Sequence, residues 1–192
     1  MKLGLMGGTF DPIHLGHLRA AENAREALGL DRVLFVPAAR PPHRPGPIAS
    51  ALDRFAMTAL ATSDHRPFEA SDVELLRSGP SYTIDTIDDF LAKQSGSLCL
   101  IVGSDTFVEM TGWKDAARIF ASCQVAVVPR PGESGSASVP PFAEAQGVSL
   151  VPGPTLDISA TAVRARVREG RSVRYLVPAG VADYLAKRGL YS

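Results

Sequence analysis

The sequence predicts an α/β protein: a doubly wound parallel sheet with helices on both faces. Short apolar segments rich in Val, Leu and Ile alternate with longer segments whose apolar residues recur at helical spacing. This alternation is typical of parallel strands joined by crossover helices. The chain has 192 residues, which is the size of one domain rather than two. We therefore expect a single domain over residues 1–192, with a helical carboxyl-terminal part packed on it from about residue 156.

The first two strands and the helix between them predict a βαβ unit, the start of a Rossmann-like sheet. The helical segment has apolar residues on one face: Leu15, Leu18, Ala21, Ala24 and Leu28. That spacing favours a helix packed on a sheet, and Gly29 is a natural residue at which to end it. The predicted strands cover residues 2–6, 32–37, 98–103, 124–129 and 148–152.

Four more helices are predicted from capping signals and apolar spacing. The first runs from Ser50 to about Ser63, because Ser50 and Asp53 form a weak capping box. Gly170 and Gly189 are expected to end the last two helices. Those three later helices cover about residues 83–93, 159–169 and 178–188.

Two segments favour irregular structure. Residues 38–49 hold four prolines, and residues 130–147 are rich in Gly, Ser and Pro. Such segments are typical of loops, and we expect both to be surface loops of one domain. The second could instead be a linker between subdomains, although the strand pattern resumes after it.

Composition excludes several classes of protein. Lys and Arg together number 20, as do Asp and Glu, so the formal net charge is +0 and no global field attracts nucleic acid or an anionic membrane. Cys99 and Cys123 are the only cysteines, too few for a disulfide scaffold. No apolar run approaches the roughly 18 residues of a membrane span, and the amino terminus lacks a signal-peptide pattern. We therefore expect a cytoplasmic protein, neither secreted nor embedded in a membrane.

The segment GGTFDPIHLGH, residues 7–17, lies between the first predicted strand and the first predicted helix. At that point of a parallel α/β sheet, the free N–H groups and the dipole of the helix favour a phosphate. Gly7 and Gly8 let the backbone approach a phosphate closely, because they carry no side chain. The Walker A ending and the GxGxxG spacing are both absent, so the segment predicts a different phosphate-binding loop.

His14 and His17 lie three residues apart, so both rings are expected on the same side of the first helical turn. Two imidazoles beside a polyphosphate can donate hydrogen bonds to oxygens whose charge grows in a transition state. Two other interpretations stay open: a structural role at the helix start, and a pair of zinc ligands. Zinc would need a third and a fourth ligand, and the cysteines show no matching spacing. We therefore favour the phosphate interpretation and predict no metal-ligating residues.

The segment ISATAVR, residues 158–164, predicts a second helix start that suits an anion. Ser159 is expected to cap this helix, Thr161 offers a hydroxyl at the same end, and Arg164 lies about one turn further on. Four further arginines are expected on a solvated helix face and turn: Arg166, Arg168, Arg171 and Arg174. We therefore assign only Arg164 to the motif.

These two segments together resemble the HxGH and ISSTxxR motifs of a nucleotidyltransferase superfamily. Other segments, found in the same order along nearly the whole chain, resemble bacterial nicotinate-nucleotide adenylyltransferases. They are PPHR at 41–44, PSYTIDT at 80–86, VGSDTF at 102–107, Gly112-Trp113-Lys114 and a terminal helix ending in GLY. The first motif alone is shared by phosphopantetheine and glycerol-phosphate enzymes. The combination of PSYTIDT with SDTF and GWK is what indicates the substrate.

Three positions depart from the family pattern, and one of them is neutral: Val163 stands where the family has Ile before the Arg of its motif. Ala160 stands where the family has the middle Ser of ISST, which removes one hydroxyl. Arg44 follows PPH where members often have Lys, so a phosphate contact there would keep its charge and change its geometry.

The resemblance implies adenylyl transfer in NAD biosynthesis: ATP and nicotinate mononucleotide would give nicotinate adenine dinucleotide and pyrophosphate. The attacking 5′-phosphate is already ionised at pH 7, so no general base is needed. Catalysis then consists of aligning two phosphates and stabilising charge. The resemblance gives this role to His14, His17 and Arg164, with Mg²⁺ held mainly by ATP oxygens and water.

The resemblance also implies two neighbouring substrate sites. The mononucleotide site would use Arg44 for the phosphate, Tyr82 and Thr83 for the pyridine carboxylate, and Trp113 for stacking on the pyridine ring. A solvated Arg44, a packing role for Tyr82 and a core role for Trp113 are the alternatives. The ATP site would be lined by Gly7, Gly8, Thr9, Phe10, Gly103, Asp105, Arg130, Ser159 and Thr161.

Two other functions stay open: nucleotidyl transfer to a different phosphorylated acceptor, and a catalytically silent nucleotide-binding module. A silent module predicts loss of a motif histidine or of Arg164, and none is lost. A different acceptor predicts a different segment in place of PSYTIDT and GWK. We expect small-molecule substrates as partners, without nucleic acid or membrane.

Overall fold

A parallel sheet is the centre of the structure, which is a computed structural model describing residues 1–42, 46–93, 96–131 and 147–192. Within these residues the sheet has six strands: β1 (Lys2–Gly8), β2 (Arg32–Pro37), β3 (Phe68–Ala70), β4 (Ser97–Gly103), β5 (Gln124–Val128) and β6 (Val148–Leu150). Their order is β3-β2-β1-β4-β5-β6, and every neighbouring pair is parallel. The order reverses between β1 and β4, where a doubly wound sheet opens a crevice at the carboxyl ends of its strands.

Helices cover both faces of this sheet, which confirms the predicted fold class. Those described are α1 (Leu15–Leu28), α2 (Ala51–Thr62), α3 (Thr83–Lys93), α4 (Ser104–Glu109), a 3₁₀ turn (Met110–Gly112), α5 (Ala116–Ser122), α6 (Ala160–Arg168) and α7 (Ala179–Arg188). Successive residues of β1 alternate between the faces. Leu3 and Leu5 enter a core with α3, α4 and α5, whereas Met6 enters a second core with α1, α2, α6 and α7.

The predicted helices begin and end close to where the sequence placed them. Helix α1 ends at Leu28, and Gly29 follows it in the left-handed conformation with φ of 61°, which a residue without Cβ adopts most easily. The Ser50 hydroxyl accepts a hydrogen bond from the Asp53 N–H at 3.1 Å and caps α2. Gly189, with φ of 59°, ends α7 in the same way as Gly29 ends α1.

Several elements differ from the prediction. Strand β1 is two residues longer than expected, because Gly7 and Gly8 pair with Val36 and Pro37 of β2. Strand β3 and helices α4 and α5 were not predicted. They span three, six and seven residues, too short for apolar periodicity to stand out. Most of the loop predicted at 130–147 lies outside the described residues.

The carboxyl-terminal helices pack on the face of the sheet that α1 and α2 cover. The Asp53 carboxylate on α2 accepts a hydrogen bond from the Tyr184 hydroxyl at 2.8 Å and another from Arg188 at 3.2 Å. The Leu15 N–H at the start of α1 donates to the Leu176 carbonyl at 2.9 Å. These contacts hold α7 against α2 and the segment before α7 against the beginning of α1. No helix in the described ranges is long and apolar enough to cross a membrane.

The middle of β1 has no room for a side chain at Gly4. A Cβ added there would lie 2.9 Å from Leu30 Cδ1 and 3.0 Å from Ile101 Cδ1. We expect Gly4→Ala to lower the free energy of unfolding by about 1 to 3 kcal/mol, the usual effect of overpacking a core, as measured by urea denaturation. Gly7→Ala on the same strand is the control, since no atom lies within 4 Å of its added Cβ. Equal losses in the two variants would contradict this account.

Candidate active site

The crevice at the carboxyl ends of β1 and β4 is bordered by the loop from Thr9 to His14. Gly8, the last residue of β1, has no space for a side chain: an added Cβ would lie 2.8 Å from the Phe10 ring. Phe10 is 3% exposed and has φ of 49°, and its ring meets that of His17 edge-on at 5.1 Å. The small size of Gly8 is therefore required by the packing of Phe10, a reason that the phosphate interpretation of the sequence did not include.

His14 and His17 lie on the same side of the start of α1, as their spacing predicts. Their rings stack with centroids 3.7 Å apart and an angle of 24° between planes. The His14 N–H donates a hydrogen bond to His17 Nδ1 at 3.2 Å, which satisfies one of the free amides of the helix start. The first turn of α1 therefore holds the two imidazoles as a fixed pair.

Both imidazoles are uncharged at neutral pH. Burial lowers the pKa of His14 to about 4. Burial lowers the pKa of His17 well below its usual value too, and the neighbouring His14 lowers it further. A neutral imidazole carries one N–H, and His17 Nδ1 is already an acceptor, so the hydrogen of His17 lies on Nε2. His17 is thus prepared to donate one hydrogen bond from Nε2.

Arg164 connects the two motifs. Its Nη1 donates to the Asp11 carbonyl in the first motif at 2.8 Å, and its Nη2 donates to Thr161 Oγ1 in the second at 3.2 Å. Ser159 caps α6 as predicted, since its hydroxyl accepts from the Ala162 N–H at 3.1 Å. The structure therefore brings together residues that the sequence places 153 positions apart.

Gly16, the glycine of HxGH, lies where the two motifs approach each other closely. A Cβ added there would be 3.0 Å from His14 Nδ1 and 3.5 Å from the Ile158 carbonyl oxygen. A Cβ at Gly16 would therefore crowd the His14 imidazole, whereas its contact with the Ile158 carbonyl would be an ordinary one.

Two buried charged residues that the sequence analysis did not assign hold the loop after β1. The Asp11 carboxylate accepts hydrogen bonds from the N–H groups of Ile48 and Ala49 at 2.9 and 3.1 Å. Arg54 is 1% exposed and donates to the Thr9 carbonyl at 2.7 Å. A signal for Arg54 was present in the sequence, because helical spacing puts it on the apolar face of α2 with Met57 and Ala61.

The two segments that carry the residues predicted for the pyridine ring are in contact. The Lys114 ammonium lies 4.6 Å from the centre of the Tyr82 ring and 2.9 Å from the Asp85 carboxylate, so GWK and PSYTIDT are in contact. Thr83 is the first residue of α3. Trp113 is half-buried and packs against the same apolar core as Tyr82.

The remaining predicted residues are placed in part. Asp105 follows β4, Arg130 follows β5, and the two side chains form an ion pair. Gly103 caps α4 and is exposed. Arg44 lies outside the described residues. Within the described ranges, no group of three or more His, Cys, Asp or Glu is arranged to hold a metal ion.

Comparisons with known proteins agree with this geometry. Residues 5–166 match the model of the cytidylyltransferase-like family. A probable nicotinate-nucleotide adenylyltransferase from Thermus thermophilus is 47% identical over 195 residues, covering 100% of both chains. Another from a Geobacter species is 42% identical over 213 residues, covering 100% of this chain and 98% of that one. The chain belongs to the nicotinate-nucleotide adenylyltransferases of the cytidylyltransferase-like family. This membership confirms the resemblance drawn from the motifs.

Solved structures show the same fold. The nicotinic acid mononucleotide adenylyltransferase of Plasmodium falciparum in complex with NaAD superposes with a TM-score of 0.82 at 16% identity, covering 99% of this chain and 97% of that one. A Vibrio parahaemolyticus structure described as a nicotinate-nucleotide adenylyltransferase gives a TM-score of 0.69 at 18% identity, covering 99% of this chain and 94% of that one. The family's doubly wound sheet is thus common to chains of very different sequence.

The lowered pKa of His14 predicts a pH-dependent stability. Between the usual histidine pKa of about 6.5 and the folded value of about 4, the unfolded chain binds more protons at this position than the folded one. The stabilisation is complete above pH 6.5 and is lost as pH falls through this window. Between pH 7 and pH 4.5 we expect wild type to lose about 2 kcal/mol more unfolding free energy than His14→Asn, measured by urea denaturation at both pH values. Parallel losses in the two proteins would refute a buried, neutral His14.

Proposed function

We propose that this protein transfers the adenylyl group of ATP to nicotinate mononucleotide and releases pyrophosphate. One observation carries the proposal: the Arg164 guanidinium contacts the Asp11 carbonyl at 2.8 Å, so both phosphate-binding motifs meet at the crevice beside the imidazole pair. Relatives that match the whole chain carry the name of this enzyme. The Plasmodium falciparum enzyme with the same fold has been solved with NaAD and with APC, which further supports this assignment.

In the proposed reaction, a phosphate oxygen of the mononucleotide attacks the α-phosphorus of ATP. A new P–O bond forms as the bond from the α-phosphorus to the bridging oxygen breaks, and pyrophosphate leaves with that oxygen. No proton has to be removed from the nucleophile, because the mononucleotide phosphate is already ionised at pH 7. The main demand on the protein is therefore alignment and stabilisation of charge.

His14, His17 and Arg164 supply that stabilisation in the proposal. The hydrogen on His17 Nε2 is available to an α-phosphate oxygen, because Nδ1 is already bonded to the His14 N–H. The Arg164 guanidinium can bridge two phosphate oxygens and is oriented by two hydrogen bonds. A neutral imidazole needs no nearby anion to remain buried, so the pair is present before ATP arrives and costs no reorganisation during the reaction.

The two substrates occupy opposite sides of the crevice. Nicotinate mononucleotide would bind through Arg44, Tyr82, Thr83 and Trp113, where the contact between Lys114 and Tyr82 already joins the two segments. Mg²⁺ would accompany ATP, bound mainly to phosphate oxygens and water. We place the reaction in the cytoplasm, which suits two buried free thiols. The ATP site would be lined by Gly7, Gly8, Thr9, Phe10, Gly103, Asp105, Arg130, Ser159 and Thr161.

Purified protein with ATP, Mg²⁺ and nicotinate mononucleotide should produce nicotinate adenine dinucleotide, detected by chromatography. We expect His17→Ala to lower kcat by about 10²- to 10³-fold, the usual loss when one donor to a developing charge is removed. Its circular dichroism spectrum should match that of wild type.

His65→Ala is the matched control, because His65 is a histidine that contacts Glu22 rather than the crevice. Its kcat should stay within about twofold of wild type. Product from a phosphorylated acceptor without a pyridine ring, and none from nicotinate mononucleotide, would show that the substrate is wrong. Near wild-type kcat in His17→Ala would show that the role of this imidazole is wrong.

Trp113 offers a separate test of the mononucleotide site. If its indole stacks on the pyridine ring, Trp113→Ala should raise KM for nicotinate mononucleotide about two- to tenfold, the effect of losing about 0.5 to 1.5 kcal/mol of stacking. KM for ATP should stay within about twofold. Trp113 is the only tryptophan, so adding the mononucleotide to wild type should change the intrinsic fluorescence in a saturable way. Unchanged fluorescence, with a loss only of thermal stability in Trp113→Ala, would identify Trp113 as a core residue.

A further inference from the structure

The end of the chain reaches into the loop that follows β1. Tyr191 is the residue before the last, is 7% exposed and has φ of 66°. Its hydroxyl donates a hydrogen bond to Asp11 Oδ1 at 2.6 Å, across 180 positions of sequence. The tyrosine of the GLY sequence at 189–191 thus contacts the Asp11 carboxylate in the loop after β1. Neither the HxGH motif nor the ISSTxxR motif assigns a role to this contact.

Asp11 links this contact to Arg164. The Asp11 side chain is held by Tyr191, Ile48 and Ala49, while its main-chain carbonyl accepts the hydrogen bond from Arg164. A carboxylate fixed at three points fixes the peptide plane that bears this carbonyl. The direction of the Arg164 guanidinium therefore depends on how firmly the Asp11 side chain is held.

Burial and charge show that the Tyr191 contact is a strong one. Burial raises the pKa of the Tyr191 phenol above its usual range, and the hydrogen bond to Asp11 raises it further. The phenol therefore stays protonated and donates at every physiological pH. A hydrogen bond from a neutral donor to a carboxylate is stronger than one between two neutral groups.

Helix α7 also makes contacts that do not involve Asp11. The helix is already attached to α2 through Asp53, which accepts hydrogen bonds from Tyr184 at 2.8 Å and from Arg188 at 3.2 Å. Tyr184 and Tyr191 thus make the same kind of bond from the same part of the chain, one to a carboxylate on α2 and the other to a carboxylate in the phosphate loop.

We propose that Tyr191 is a positioning residue for adenylyl transfer, which acts through Asp11 to hold the carbonyl that orients Arg164. This inference rests on the proposed function for its kinetic consequence. Tyr191 does not touch substrate in this account. Its removal should therefore impair the chemical step rather than the binding of either substrate.

Tyr191→Phe keeps the ring and removes only the donor, and Tyr184→Phe is the matched control. We expect Tyr191→Phe to lower kcat about tenfold, because small displacements of an aligned group reduce rate strongly, with both KM values within about twofold of wild type. Tyr184→Phe should keep kcat within about twofold and lower the melting temperature about as much as Tyr191→Phe does. Equal effects of the two substitutions on kcat, or none from either, would overturn the proposal.

A double substitution tests whether Tyr191 acts through Arg164. In an Arg164→Lys background the guanidinium is absent, so adding Tyr191→Phe should lower kcat by less than about twofold further. A further tenfold loss in that background would show that Tyr191 acts by another route and would overturn the proposal.

Hydrogen exchange gives a readout that needs no activity. Exchange of backbone amides in residues 9–17 and 160–164 should be faster in Tyr191→Phe than in wild type, and unchanged in Tyr184→Phe. If wild type made no dinucleotide, the proposed function would fail, and this exchange pattern would still decide whether Tyr191 holds the loop. Unchanged exchange in Tyr191→Phe would overturn the positioning role.

Discussion

The hydrogen bond from Arg164 to the Asp11 carbonyl is the interaction on which the site depends. It joins two helix starts that are separated by most of the chain, and it needs α6 to lie close against α1. Core packing supports that approach, since Val163 of α6 is fully buried in the same core as α1. The packing of α6 therefore contributes to the geometry of the candidate phosphate site.

In the candidate site, arginine contributes the positive charge, whereas the neutral histidines contribute oriented hydrogen-bond donors. His14 is buried, His17 is partly exposed, and both imidazoles are neutral, so they add hydrogen-bond donors without repelling each other across 3.7 Å. Arg54 adds a second cation that burial makes costly, since burial lowers its pKa. Main-chain carbonyls of Thr9, Ala39 and Ala49 offset that cost, as buried charges require. The loop after β1 is therefore held by a buried guanidinium, that of Arg54, and a buried carboxylate, that of Asp11.

Local signals in the sequence were sufficient for the long elements. Helix α1 was predicted from its apolar spacing and Gly29, and α2 from the cap at Ser50, because such signals act within a few residues of the backbone they fix. Strand β3 was missed because only one of its three residues, Phe68, has a large apolar side chain, which is too little for a strand pattern. Its place in the sheet comes from pairing with β2, which lies far away in sequence. Helix α5 is short and begins after Asp115, which adopts the left-handed conformation with φ of 51°. No local sequence pattern predicts that conformation at Asp115.

The same division applies to the contacts of the candidate site. His14 and His17 lie at the start of α1 and Ser159 at the start of α6, where backbone geometry acts over one turn, so the sequence alone predicted the paired imidazoles and the Ser159 cap. Asp11 and Tyr191 contact residues far away in sequence, and although both lie in segments that resemble the family, neither segment indicates what its side chain contacts. An aspartate after a loop phenylalanine becomes informative only when three donors are seen to converge on its carboxylate. Motifs therefore predict candidate substrate-binding groups, whereas the groups that hold them in place emerge from tertiary structure.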